Sequence, residues 1–219
     1  MRKIGILIVL LGFFVASPLG RHLVGVQATR LGGEQGVHTD TKLSLLPGKP
    51  SLAVSKAALY KPDDPWRPYL ADEKTCPGGQ RTDLPLARQA DVMICLIDWA
   101  RERRGLNPLS NVTLLDRTAL EKAGEIVRCR NFDHAACGGS PDADVRATGY
   151  RGPFGENLYI AGGPFGAPRV ALDGWLNSPG HRENLFRPEW RTQGIAILKL
   201  DRFGAYRDMT LWVSHFGAD

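Results

Sequence analysis

The 219-residue sequence contains no Cys-x-x-C pair, and its cysteines number only four: Cys76, Cys95, Cys129 and Cys137. A cysteine-ligated zinc site, which draws on closely spaced pairs, is disfavoured by that spacing. No His-Glu-x-x-His stretch occurs, so the two-histidine helix of many metalloproteases is absent. Internal repeats are lacking, as is a basic stripe interleaved with aromatics, which argues against nucleic acid as a partner. The formal net charge of +5 is misleading on this point. Residues 1–28 hold Arg2, Lys3 and Arg21 and no acid, which leaves 25 basic against 23 acidic residues, a net of +2, in the rest of the chain. No apolar run is long enough for a comfortable membrane span: the longest, "IGILIVLLGFFVA", has 13 residues.

That run has a different meaning. It follows Met1, Arg2 and Lys3, and a charged start before a short apolar stretch has the form of an export signal. Residues 1–28 are therefore expected to be a signal peptide and the protein to be secreted or associated with the cell envelope. Small-residue cleavage patterns occur at Val15–Ser17 and at Val26–Ala28, and the sequence does not choose between them. No cysteine follows the apolar run, which argues against a lipoprotein anchor; contact with a membrane is expected only if this segment stays uncleaved. Outside the cytoplasm an even cysteine count favours two disulfides. Four cysteines allow three pairings. The eight-residue spacing favours Cys129–Cys137 as a local clasp, with Cys76–Cys95 as the second bridge.

Residues 29–83 are rich in breakers ("LLPGKP", "KPDDPWRP", "CPGG") and read as a mostly extended linker, with Trp66 and Tyr69 tacking its end onto the folded part. A compact domain is expected over 84–219. "LARQADVMICLIDWARERR" has helical apolar spacing and stops at Gly105. A second helix is expected over about 114–128, where Leu115, Ala119, Leu120, Ala123, Ile126 and Val127 share a face. A third spans about 168–177, opening on Pro168. "ENLYIAG", "GIAILKLDR" and "MTLWVSHFG" read as strands, the last two as an antiparallel hairpin. Helices followed by paired strands indicate an α+β fold with helices packed on an antiparallel sheet.

The polar residues of interest fall at breaks between these elements. His134 lies in "NFDH", inside the Cys129–Cys137 span. Glu156 opens a strand in "GENL". His181 lies in "WLNSPGHRENL", where a helical pattern stops at Ser178-Pro179-Gly180. Pro179 cannot continue a helix and Gly180 permits a sharp reversal, so the break is expected to turn His181 inward. Glu183 is expected to be a solvated residue, and His215 to sit on the sheet rather than reach a site. Ser178 as a nucleophile lacks an adjacent glycine-rich oxyanion hole. "NVT" at Asn111–Thr113 reads as a turn or helix start rather than a glycan acceptor.

Taken in order, these segments resemble the CAP superfamily, which includes the cysteine-rich secretory proteins, insect venom antigens and plant pathogenesis-related class 1 proteins. "CLIDWARERRGLNPL", "NFDH", "GENL", "W-x-x-SPGHR-x-N-L" and "TQGIAI" with "TLWVSHFG" carry the resemblance over roughly residues 86–219, and the "SPGHR" form is that of bacterial members. The resemblance implies a three-layer α-β-α sandwich with a cleft into which two histidines and two glutamates converge, able to bind a divalent cation, commonly zinc. Carried over, the ligands are His134, Glu156 and His181. The second glutamate position is Ser178 here, so the tetrad becomes a triad. Two neutral imidazoles and a carboxylate suit zinc and leave a place for water. Three functions follow as expectations: a secreted binding module for a small ligand, lipid or envelope component; a zinc-dependent hydrolase of an envelope or peptide substrate; or a structural surface domain.

Overall fold

In the computed structural model the described residues are 26–29, 38–41 and 63–219. The fold is built around one hairpin. β5 (Thr192–Phe203) and β6 (Tyr206–Gly217) pair antiparallel along their whole length, from Thr192↔Gly217 to Phe203↔Tyr206. They run longer than the apolar pattern alone suggests. Gly204 makes the turn at φ 58°, a left-handed conformation that glycine adopts without steric cost. β4 (Phe154–Gly162) joins the other side of β6, also antiparallel. The short β3 (Ser110–Asn111) pairs parallel with the start of β5. β1 (Val26–Thr29) and β2 (His38–Thr41) extend the sheet, β2 lying parallel to β5.

Both faces of this sheet are covered, which explains why its central strands are apolar at nearly every position. Successive side chains point to opposite faces. Ile195, Ile197, Trp212 and Phe216 go to one face and pack with Met93, Leu96, Ile97, Leu172 and Trp175. Ala196, Leu198, Leu211, Val213 and Leu158 go to the other and pack with Ala119, Leu120, Ala123 and Ile126. The first set of partners comes from α1 (Leu86–Arg103) and α4 (Pro168–Asn177), the second from α2 (Thr113–Cys129). The result is the three-layer α-β-α sandwich. α2 lies so close to the sheet that a Cβ at Gly194 would fall 2.2 Å from the backbone of Leu115 and Asp116, so the strand needs glycine there. α1 ends as expected before Gly105, at φ 77°. A one-turn helix, α3 (Ala143–Ala147), is not legible in the apolar pattern; only Val145 of it is buried.

Part of the expected linker is folded. From residue 63 the chain is packed against the domain: Leu70, Ala71 and Cys76 are buried in the α1 core, and Cys76 is disulfide-bonded to Cys95 of α1. The Glu73 carboxylate holds the following turn by accepting from the Gly78 and Gln80 amides at 2.7 and 2.9 Å. The breakers in this stretch therefore shape tight turns rather than an extended tether. The expected export segment lies outside the described residues except for Val26–Ala28, which belong to β1. Among the described residues no helix is long and apolar enough to cross a membrane.

Candidate functional site

His134 sits on a loop tied at both ends. α2 stops where Arg130 adopts a left-handed conformation (φ 52°), and Cys129 is bonded to Cys137, closing the loop. Both disulfides thus join the pairs favoured by spacing. Inside the loop, Asn131 Nδ2 donates to the Ala136 carbonyl at 3.2 Å, and Asp133 Oδ1 accepts from the Ala135 amide at 2.7 Å. The buried ammonium of Lys122 donates to the His134 carbonyl and to Glu125, each at 3.0 Å. A short loop so fastened holds the His134 imidazole at a fixed place on the surface.

Glu156 stands directly opposite His215 in the β4–β6 register. Both point to the α2 face, and both are buried. The Glu156 carboxylate receives one histidine on each oxygen: His134 Nδ1 lies 2.5 Å from Oε1, and His215 Nε2 lies 3.0 Å from Oε2. The far side of His215 continues the chain, with Nδ1 2.9 Å from Thr118 Oγ1. The Thr118 hydroxyl also donates to the Leu115 carbonyl at 3.1 Å, an arrangement that a proton on His215 Nδ1 would complete. Burial pushes the Glu156 carboxyl up, but the hydrogen bonds from His134 and His215, with the charges of His215 and Lys122, more than offset this and hold it below its ordinary range. The hydrogen bond to Glu156 in turn raises the His134 imidazole. The expectation that His215 sits on the sheet away from the site is half met. It does lie on β6, but it supports Glu156 from behind. The signal missed is the pairing of β4 with β6, which joins residues 59 apart.

The break before His181 differs from expectation in one respect. Gly180 makes no reversal; it lies within α5 (Pro179–Leu185), and Pro179 occupies the first turn of that helix. The break is a single extended residue, Ser178, with φ −99° and ψ 120°, whose carbonyl accepts from the Arg182 amide to start the new helix. Trp175 anchors the preceding helix, its indole N–H donating to the Leu158 carbonyl at 3.0 Å. Two asparagines then fix α5 against β4. Asn157 Nδ2 donates to the His181 carbonyl at 3.0 Å, and Asn184 Nδ2 to the Glu156 carbonyl at 3.0 Å. These clamps are in plain view in "GENL" and "HREN", but their role depends on the contact between the two segments. Glu183 projects into solvent, with its side chain 74% exposed.

His134, Glu156 and His181 meet at an open cleft of about 520 Å³, also bordered by Ser178 and Asn184. The His134 and His181 rings are 6.4 Å apart between centroids. Burial, followed by the neighbouring His134, lowers the His181 imidazole, which keeps it neutral and available near pH 7. Among the described residues none hydrogen-bonds its ring. As arranged, the three residues do not fit a zinc ion between them. Both carboxylate oxygens of Glu156 are engaged by histidines, and the position of the second glutamate holds Ser178, which borders the cleft with a hydroxyl. The two imidazole edges are the donors left, one fewer than a catalytic zinc site uses. No group of three or more histidine, cysteine or carboxylate side chains is placed to hold a metal among the described residues.

An outer surface protein of Borrelia burgdorferi superposes with a TM-score of 0.50 at 23% identity, covering 61% of this chain and 95% of that one. An extracellular protein containing an SCP domain from Bacillus anthracis gives a TM-score of 0.48 at 21% identity, covering 62% and 44%. The uncharacterized protein YkwD of Bacillus subtilis is 31% identical over 107 residues, 48% of this chain, and the match spans only 40% of YkwD. Residues 95–216, more than half of the chain, match the family described as "CAP: Cysteine-rich secretory protein family". The stretch includes His134, Glu156, His181 and His215 on their sandwich, and the chain belongs to the CAP family.

Proposed function

We propose that the protein works outside the cytoplasm as a binding module, with a polar small ligand or an envelope fragment seated in the cleft between His134 and His181. The observation that carries this reading is the buried Glu156–His215–Thr118 chain. A carboxylate taken out of water is costly unless fully hydrogen-bonded, and here its partners fix the His134 ring so that its remaining edge faces the cleft. Such preorganisation lowers the ordering cost of binding. The export-type N-terminal sequence, the two disulfides and the similarity to an outer surface protein support an extracytoplasmic location.

The zinc-hydrolase reading is less well supported, since zinc would have to draw Glu156 away from a histidine. A purely structural role leaves the accessible edges of both cleft imidazoles without a use. Titration of the protein with soluble envelope fragments, followed through the histidine side-chain NMR signals, tests the proposal. Binding is expected to shift His134 and His181 together and to weaken in His181→Ala. Saturable binding that shifts neither ring would place the ligand elsewhere.

A further inference from the structure

A second depression, of about 650 Å³, lies on the other side of α5. Trp66 and Phe186 form its floor, and Arg104, Arg182 and Arg187 border it. Each arginine lies over an aromatic ring: Arg182 is 4.2 Å from the Trp66 centroid, Arg104 5.5 Å from Phe186, and Arg187 5.3 Å from Trp190. The floor is itself fixed, with the Trp66 and Phe186 rings 6.4 Å apart and Tyr69 5.4 Å from Phe186. A ring face attracts and restrains a guanidinium near it, most closely at Arg182, and a restrained guanidinium suits bidentate contact with an oxyanion. Few of these donors are committed. Arg182 Nη1 donates to the Leu176 carbonyl, and Arg104 Nη1 to the Tyr69 hydroxyl at 3.2 Å. Arg187 Nη2 makes an exposed ion pair with Glu183 Oε1 at 3.7 Å, longer than a hydrogen bond. Glu183 and Glu189 share the rim, so the groove carries three cations against two anions.

We propose that this groove is an oxyanion site, separate from the histidine cleft, that takes a phosphate-bearing polyanion. Arginine stems often cover aromatic surface merely to bury their methylenes. Here three of them converge on one depression with their orientation already restricted, so less side-chain entropy is lost when an anion binds. A chain of phosphates suits the groove better than a membrane does, because the arginines border a concavity that a flat headgroup layer would reach only at its rim.

The test is calorimetric titration of the full chain with sodium tripolyphosphate at low and at elevated salt. Saturable binding is expected, weaker at high salt. Arg182→Gln and Arg187→Gln should each weaken it by about tenfold. Arg88→Gln removes an equal charge from an exposed position on α1 and should leave it unchanged. Because Arg182 also ties the Leu176 carbonyl, Arg187→Gln carries the test alone if the first variant misfolds. Absence of saturable binding would overturn the proposal. Equal weakening by Arg88→Gln, or binding to phosphatidylglycerol vesicles without binding to tripolyphosphate, would do so as well.

Discussion

Glu156 governs the site because its carboxylate meets both His134 and His215. His134 and Glu156 stabilise each other within a definite pH window. The His134 imidazole is raised above its ordinary 6.5, so its contribution is complete below that value and is lost as pH rises through the folded-state value. The Glu156 carboxyl is lowered below its ordinary 4.5, so its contribution is complete above that value and is lost as pH falls through the folded-state value. The pairing is therefore strongest between about pH 4.5 and 6.5. Proton NMR titration should show His134 titrating above, and His181 below, the usual histidine value. Glu156→Gln should bring His134 down, since its largest cause of elevation is gone. A second expectation concerns Ser178, which borders the cleft where a carboxylate is missing. Ser178→Glu supplies a carboxylate not already held by histidines, and zinc affinity measured by calorimetry should rise by up to about tenfold, or ~1.4 kcal/mol. Adding His181→Ala should abolish the gain.

Two elements place these residues. The Cys129–Cys137 bridge closes an eight-residue separation around His134. Replacing both cysteines with serine should cost about 2–3 kcal/mol in chemical denaturation, by the loop-entropy estimate for short loops. It should also broaden the His134 signals more than those of His215, which is held by strands. Packing of α2 on β5 sets the other side of the site, since α2 carries Thr118. Gly194→Ala would push a methyl group into the backbone at Leu115 and Asp116. A loss of about 1–3 kcal/mol is expected, as for other overpacked cores, readable as a lower urea midpoint at unchanged slope. The helices α1, α2 and α4 and the hairpin are legible in the sequence because their apolar periodicity is local. α3 is not, since it is too short to show a period. Of the folded stretch after residue 63 the tethers are legible, Trp66 and Tyr69 against Phe186 and the Cys76–Cys95 bridge, whereas the turns held by Glu73 are not. At the site, the family resemblance locates His134, Glu156 and His181. Thr118, Asn157 and Asn184 escape notice, and His215 is placed on the sheet without its role behind Glu156, because their partners lie across strand pairings and helix contacts that no short window reveals.

At the scale of the whole molecule, the sandwich buries a hydrogen-bonded chain in one layer and opens a cleft at its end. α5 stands between that cleft and the arginine groove, so a single short helix presents His181 on one side and Arg182 on the other. The central claim is that Glu156 belongs to a hydrogen-bonded chain with His134 and His215 rather than to a resident metal. The most direct measurement is the long-range ¹H–¹⁵N spectrum of the imidazoles in the purified, metal-stripped protein at pH 7, repeated after zinc is added. The expected result is a proton on Nδ1 of both His134 and His215, with the His215 signals unmoved by stoichiometric zinc. An unprotonated Nδ1 on His215, or a stoichiometric zinc complex that shifts His134, His181 and His215 together, would contradict it.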